Sequence, residues 1–330
     1  FGVKTSGSSF AITITTWRQR DITIPEDIVE EVARIFGYHN LPNNLAPMVN
    51  LPQQENVEEL FETQRKIKYF LKHLGLHESM NYSMISEELI KNMNLEVQHH
   101  LKLANTISEE LQYMRTSLIP SLVKNMKENQ GKVDVLKFFE IARVYYPQEN
   151  DLPKEIHKVA VATNTSFKDL KGIIESLLRE LNISNFEMRK AKIHIFSKNE
   201  VVDYLVNGGV IGSVGKLSSQ LQNTNGLKKP AYLASFDLLS LITHSRTIPV
   251  YNPINPYATI KLDLNIKTGH KTYEELKKIA FATSPLVEKL ELHDMYKDTI
   301  TLRFYFSSRK KNLTETEAQA ELEKIKKVTS

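Results

Sequence analysis

The stretch "VLKFFEIARVYYP" (Val135–Pro147) packs Val, Ile, Phe and Tyr into a run with no glycine and with proline only at its close. Such a run reads as one long strand. The segment before it, "SLIPSLVKNMKENQG" (Ser117–Gly131), reads as a helix, with Pro120 in its first turn and Gly131 near its end. Downstream, a helix is expected over Phe167–Leu181. "GGVIGSVGKLS" (Gly208–Ser218) and "AYLASFDLLSLI" (Ala231–Ile242) are expected to supply further strands. Upstream, a long amphipathic helix runs from Val57 to Leu74 and halts at Gly75, and "LHESMNYSMIS" (Leu76–Ser86) reads as a strand and turn. Strands separated mostly by long helices imply a mixed α/β layer fold whose strand order the sequence alone does not fix.

Two blocks flank this one. In the first, ending near Pro47, "FAITITTW" (Phe10–Trp17) reads as a strand. A helix then starts at Pro25, turns Ile28, Val32 and Ile35 to one apolar face, and stops at Gly37. "LPNNLAPMVNLPQQ" (Leu41–Gln54) reads as a linker. The last block follows "RTIPVYNPINP" (Arg246–Pro256). "YATIKLDLNIKTG" alternates, placing Ile260, Leu262, Leu264 and Ile266 on one face. A helix from about Thr272, the strands "VEKLELHDMY" and "TITLRFYFSS", and a helix opened by a Thr314–Glu317 capping box follow. The order β-α-β-β-α is that of a ferredoxin-like plait lacking its last strand.

At 330 residues, 41% hydrophobic and 25% charged, the chain has the composition of a globular protein of two or three domains. No apolar run approaches the roughly 18 residues that span a bilayer. The absence of cysteine excludes disulfides, thiolate metal sites and a Cys nucleophile, and fits a reducing, cytoplasmic setting. The chain opens on Phe1-Gly2-Val3, so the N-terminus of the parent is expected to lie upstream. Residues 246–330 hold fifteen Lys and Arg against eleven Asp and Glu, an excess equal to the +4 of the whole chain. A basic C-terminal block hints at a polyanionic partner.

Four acids crowd "RDITIPEDIVEEVARIFGY" (Arg20–Tyr38). Asp27, Glu30 and Glu31 stand at i, i+3 and i+4 on one helix face, and Asp21 lies on the entering loop. Two readings stand: oxygen ligands for a hard cation such as magnesium, or an ordinary acidic helix start favoured by the dipole, with Glu30 pairing Arg34. His73 and His77 have a zinc-like spacing, but Gly75 breaks the helix between them and a third ligand is lacking. "GGVIGSVGK" lacks the Walker spacing and reads as a tight β-hairpin. "TITLRFYFSSRKKN" carries Arg303, Arg309, Lys310 and Lys311 among aromatics whose Phe members belong to the core, leaving a basic tip able to contact phosphate. No Ser-His-Asp or Cys-His set, and no pair of acids placed for acid/base work, is evident.

Taken in order, these motifs resemble the beta subunit of bacterial phenylalanyl-tRNA synthetase. "TTWRQRDITIPEDIVEEVARIFGYHNLP" is similar to its winged-helix-like segment. "LKLANTISEELQYMRTSLIPSLVKNMKENQ" and "FFEIARVYYP" are similar to its synthetase-like core, and "PYATIKLDLNI" through "LTETEA" to its C-terminal anticodon-binding plait. The resemblance covers essentially the whole chain. It implies an α+β multidomain protein: a partial winged-helix-like domain (1–47), a catalytically inactive class II synthetase-like core with an antiparallel sheet and helices (48–245), and a ferredoxin-fold anticodon-binding domain without its last strand (246–330).

By the same resemblance, the chain would be part of an α2β2 ligase that attaches phenylalanine to its tRNA using ATP. The alpha subunit would hold the active site and the ATP, while this chain acts as scaffold and tRNA binder. Structural Mg2+ would sit on Asp21, Asp27, Glu30 and Glu31, and RNA contacts would involve Lys261, Arg303, Tyr305, Arg309, Lys310 and Lys311. Neither the family's editing domain nor its N-terminal tRNA-binding domain is in this chain. The sequence departs from the family pattern in places. Trp17 stands one residue further from Asp21, "ANTIS" lacks the usual Asn-Pro, and Lys261 replaces a frequent Arg. The alternatives are a stand-alone nucleic-acid-binding module and an inert interaction platform, neither needing a ligase partner.

Overall fold

The computed structural model describes residues 1–44, 57–106, 108–267, 271–296 and 299–329. The chain forms two units, Phe1–Glu55 and Asn56–Ser330. In the first, β1 (Gly2–Ser6) and β2 (Ser9–Thr13) make an antiparallel hairpin. Its turn uses Gly7 at φ 59°, where a side chain would be strained. The strand expected to reach Trp17 stops at Thr13, and Thr16–Arg18 tighten into a 3-10 turn. Helix α1 (Pro25–Phe36) begins at the proline and ends where Gly37, at φ 94°, donates its N–H to the Ala33 carbonyl. The apolar face expected of this helix exists but covers no core. Val32 and Ile35 are 64% and 77% exposed, and Ile22 is the one buried side chain among the described residues of this unit. The expected linker Leu41–Gln54 lies, from residue 45 onward, outside the described residues.

The second unit opens with α2 (Val57–His73), which buries Ile67 and Leu71 and ends before Gly75 at φ 82°. β3 (His77–Glu78), β4 (Met84–Ile85), α3 (Glu87–Asn92) and β5 (Tyr113–Met114) follow, β4 pairing with β5. Then come α4 (Ile119–Asn129), β6 (Lys137–Tyr146), β7 (Lys154–Thr163), α5 (Phe167–Glu180), β8 (Phe186–Lys190), β9 (Phe196–Val206), β10 (Gly209–Leu217), α6 (Ser219–Thr224), β11 (Tyr232–Asp237) and α7 (Leu238–His244). "AYLASFDLLSLI" is therefore a strand only to Asp237, whose carboxylate accepts the Ser240 N–H at 2.8 Å and turns Leu238 onward into α7.

Apart from the β4–β5 pair, these strands form one sheet in the order β3-β6-β7-β11-β10-β9-β8, antiparallel except where β3 runs parallel to β6. Period-2 alternation feeds two cores, one on each face. Val159 and Val161 face α2, α5 and α7, while Ala160 and Ala162 face α4 through Leu122, Val123 and Met126. The glycine-rich hairpin tract has a packing reason. A Cβ on Gly212 would lie 2.2 Å from the Phe236 ring, and one on Gly215 2.6 Å from Phe196. One charged pair is fully enclosed: Arg115 Nη1 lies 2.7 Å from Glu140 Oε1, each side chain 2% exposed.

The C-terminal block has the order read from the sequence: β12 (Ile260–Lys267), α8 (Tyr273–Thr283), β13 (Val287–Tyr296), β14 (Thr299–Phe306) and α9 (Glu315–Thr329). The sheet order is β12-β14-β13, antiparallel throughout. Leu264, Leu302, Phe304 and Phe306 pack with Leu276 of α8 and Leu322 of α9. Both helices open on reciprocal caps, Thr272 with Glu275 and Thr314 with Glu317.

Candidate functional site

Because the helices of this block cover one face of its sheet, alternation sends the polar residues of three strands to the other. Register sets them in rows. Lys261 and Lys289 flank Tyr305, their ammonium groups 5.6 and 5.1 Å from its ring centroid. In the next row Asp263 and Glu291 flank Arg303. Arg303 forks onto Asp263 at 2.8 and 2.7 Å and meets His293 Nε2 at 3.2 Å. Tyr305 Oη donates to Glu291 at 2.6 Å. These bonds hold the Asp263 and Glu291 carboxyls below their ordinary range: Arg303 acts on the first, Lys289 and then Tyr305 on the second. The Glu291 hydrogen bond raises the Tyr305 phenol.

Of the expected RNA contacts, Lys261, Arg303 and Tyr305 thus fall on one open face. Of these, Tyr305 is half-buried, and Arg303 is engaged by an acid. Lys289, Glu291 and His293 complete the face. They are missing from the residues expected on sequence, although the alternation of "VEKLELHDMY" carries the signal. The basic tip follows β14. Arg309 and Lys310 are exposed. Lys311 pairs with Glu317 and, with the Thr314 N–H, holds that carboxyl at about 2.

The acids of the first unit have different partners. Arg18, in the 3-10 turn, donates from Nε to Asp21 and from Nη2 to Glu31, each at 2.7 Å. Arg34 takes the other oxygen of Glu31 at 2.7 Å, so the helix pair is Glu31–Arg34 rather than Glu30–Arg34. Arg18 and then Arg34 hold Glu31 at about 2. Asp27 Oδ2 accepts the Thr23 and Ile24 N–H groups at 2.6 and 3.0 Å, capping α1, and these bonds lower its pKa. A divalent ion needs several carboxylate oxygens in one shell. Here both Glu31 oxygens, and one oxygen each of Asp21 and Asp27, accept guanidinium or backbone donors. Among the described residues no group of three or more His, Cys, Asp or Glu is arranged to hold a metal. Glu30, the fourth acid, is exposed.

His73 lies 2.6 Å from the Tyr69 carbonyl, within its own helix. On the large sheet, a recess of ≈310 Å³ is lined by Thr116, Tyr146, Lys158, Ser213 and Asp237 among others. Lys158 and Asp237 pair across it at 3.3 Å, and no nucleophile–base pair is set there. No helix among the described residues is long and apolar enough to cross a membrane.

Residues 45–238 match the family model described as the phenylalanyl tRNA synthetase beta chain CLM domain, more than half of the chain. The chain belongs to the phenylalanyl tRNA synthetase beta chain family. Residues 1–38 of this family member also match the tRNA synthetase B5 domain. The phenylalanine–tRNA ligase beta subunit of Fusobacterium nucleatum is 29% identical over 96% of this chain and 42% of its own length. That of Dehalococcoides mccartyi is 30% identical over 85% and 36%, and that of Bacillus subtilis 26% over 94% and 42%. The chain thus spans about two fifths of the length of the curated relatives it matches. Among solved structures, a pyrrolysyl tRNA synthetase of Desulfitobacterium hafniense superposes with TM-score 0.48 and 16% identity, over 58% of this chain and 76% of that one.

Proposed function

We propose that this chain serves as part of the beta subunit of a cytoplasmic phenylalanine–tRNA ligase, holding the catalytic alpha subunit and tRNA without carrying the reaction itself. The observation that carries this reading is the collinear match of residues 1–38 to the tRNA synthetase B5 domain and of residues 45–238 to the phenylalanyl tRNA synthetase beta chain CLM domain, in that order. The division at 47 and 245 into winged-helix-like, synthetase-like and anticodon-binding parts belongs to the same proposal.

Docking of the alpha chain is supported by an exposed apolar strip. Phe61 and Tyr69 of α2 border a groove of ≈710 Å³ that continues to Leu76 and His77. Met80 and Tyr82, 91% and 72% exposed, stand on the loop just beyond. Surface of this kind marks protein contacts. Binding of tRNA is supported by the open face around Tyr305 and by the Arg309–Lys311 tip. Lysines there meet phosphate, and aromatic rings offer stacking surfaces to unpaired bases. ATP and its magnesium would be handled by the alpha subunit, in an α2β2 assembly.

Reconstitution tests this. The chain alone should show no phenylalanine-dependent ATP–pyrophosphate exchange, and should co-purify with the alpha chain. Exchange by the isolated chain, or failure to retain any synthetase subunit, would overturn the reading.

A further inference from the structure

The loop between β3 and β4 is bonded like a strand, yet neither of its two largest side chains is buried. Ser79 N–H donates to the Phe139 carbonyl at 2.7 Å. Asn81 donates from N–H and from Nδ2 to the two Glu140 oxygens, at 3.3 and 2.8 Å. Arg115 Nη1 donates to the Asn81 and Tyr82 carbonyls at 3.4 and 3.3 Å, and the Arg115 N–H to the Ser83 carbonyl at 2.9 Å. Between these fixed points Met80 and Tyr82 are 91% and 72% exposed. We infer that the enclosed Arg115–Glu140 pair is a positioning device, which sets the main chain of Ser79–Ser83 so that Met80 and Tyr82 stand ready as contacts for the catalytic alpha chain. This rests on docking of that chain through the apolar strip of α2, and names what presets the strip's far end.

An enclosed ion pair is a poor source of stability, since apolar side chains of like volume serve a core as well or better. What this one supplies is order. Fixing a loop costs conformational entropy, commonly offset when the loop buries its own apolar groups. Here those groups face solvent, so the offset is available only to a partner. A partner that finds them already placed avoids the ordering cost on binding. Tyr and Met are both enriched in protein interfaces. Charges beside the loop stand in matched pairs, Lys68 with Glu78 at 2.6 Å and Arg143 with Glu155 at 2.7 Å, which suits a protein surface better than a polyanion. The loop also continues directly from Leu76 and His77, at the end of the α2 groove.

Amide exchange and binding to the purified alpha chain test this together. In the wild-type chain the Ser79 and Asn81 amides should exchange as slowly as those of β6, although they lie in a loop. Arg115→Met/Glu140→Leu should keep its urea midpoint near wild type, speed exchange at those two amides, and weaken alpha binding on the order of tenfold. Met80→Ala/Tyr82→Ala should leave midpoint and exchange unchanged and weaken the same binding by about tenfold or more. Should the first variant fail to fold, wild-type exchange and the second variant still decide. The inference is overturned by fast wild-type exchange at both amides, or by a folded first variant in which either exchange or alpha binding is unchanged. It is equally overturned by alpha binding that survives loss of Met80 and Tyr82, even where that loss disperses a dimer of this chain. A wild-type chain that binds no alpha subunit overturns the docking itself, and the inference with it.

Discussion

Arg18 and Arg115 are built alike and placed unlike. Each guanidinium ties a loop to a regular element through a carboxylate 2.7 Å away. Arg18 is 30% exposed. Arg115 is enclosed, and it also donates to main-chain carbonyls: Nε to Arg143 at 3.1 Å and Nη1 to Tyr82 at 3.3 Å. The partner Glu140 also accepts from Asn81, at 2.8 Å from Nδ2. Burial, more than pairing, decides what such a bond is worth. In water a broken pair is resolvated, whereas in the dry interior the surviving charge has nowhere to turn.

The contrast can be undone most forcefully at the buried end. Arg115→Ala or Glu140→Gln strands one group of the network and should cost about 3–5 kcal/mol in urea unfolding. The apolar double Arg115→Met/Glu140→Leu should recover most of that. If each single change costs no more than an exposed pair, the distinction between the regions collapses. Next in size is a packing change of the same core. Gly212→Ala forces a methyl against the Phe236 ring and should cost roughly 1–3 kcal/mol, part of it recovered by Phe236→Leu.

A change of opposite sign comes third. Tyr204 Oη is buried with no hydrogen-bond partner among the described residues, so Tyr204→Phe should hold or raise stability, by about 1 kcal/mol. A marked loss would point to a bridging group at that hydroxyl. Fourth, His100 donates from Nδ1 to the Glu96 carbonyl at 2.9 Å and accepts from Thr116 at its Nε2 at 3.0 Å. Burial lowers its pKa from 6.5. The folded state thus binds the proton less readily than the unfolded one, so this contribution is complete above 6.5 and lost as pH falls through the lower folded value. His100→Gln should flatten the acid limb of a midpoint-against-pH curve. Smallest, Lys278→Ala removes an exposed pair with Glu187, at 3.0 Å with side chains 64% and 69% exposed, and should change stability by roughly 0–1 kcal/mol, less in high salt.

Much of the fold is legible in the sequence because local chemistry and burial agree. The C-terminal block can be read in full, since Ile260 to Ile266 alternate cleanly and both helices open on caps. The run Ala231–Ile242 can be read only in half: Leu238 onward is as apolar as the strand before it, and only the Asp237 cap marks the change. The face of α1 reads as a core stripe, yet periodicity reports amphipathicity without saying what, if anything, covers it. At the candidate sites the residue types are visible and their partners are not. Nothing local links Arg18 to Glu31, Arg303 to Asp263 forty residues earlier, or Arg115 to Glu140. Those pairings are made by turns and register.

The order β12-β14-β13 leaves β12 with one hydrogen-bonded neighbour among the described residues. A strand so placed is a template on which another chain can grow. β12 begins and ends its polar row with Lys261 and Lys267. Two such strands meeting edge to edge would bring lysines together, so the same row works against edge-to-edge aggregation.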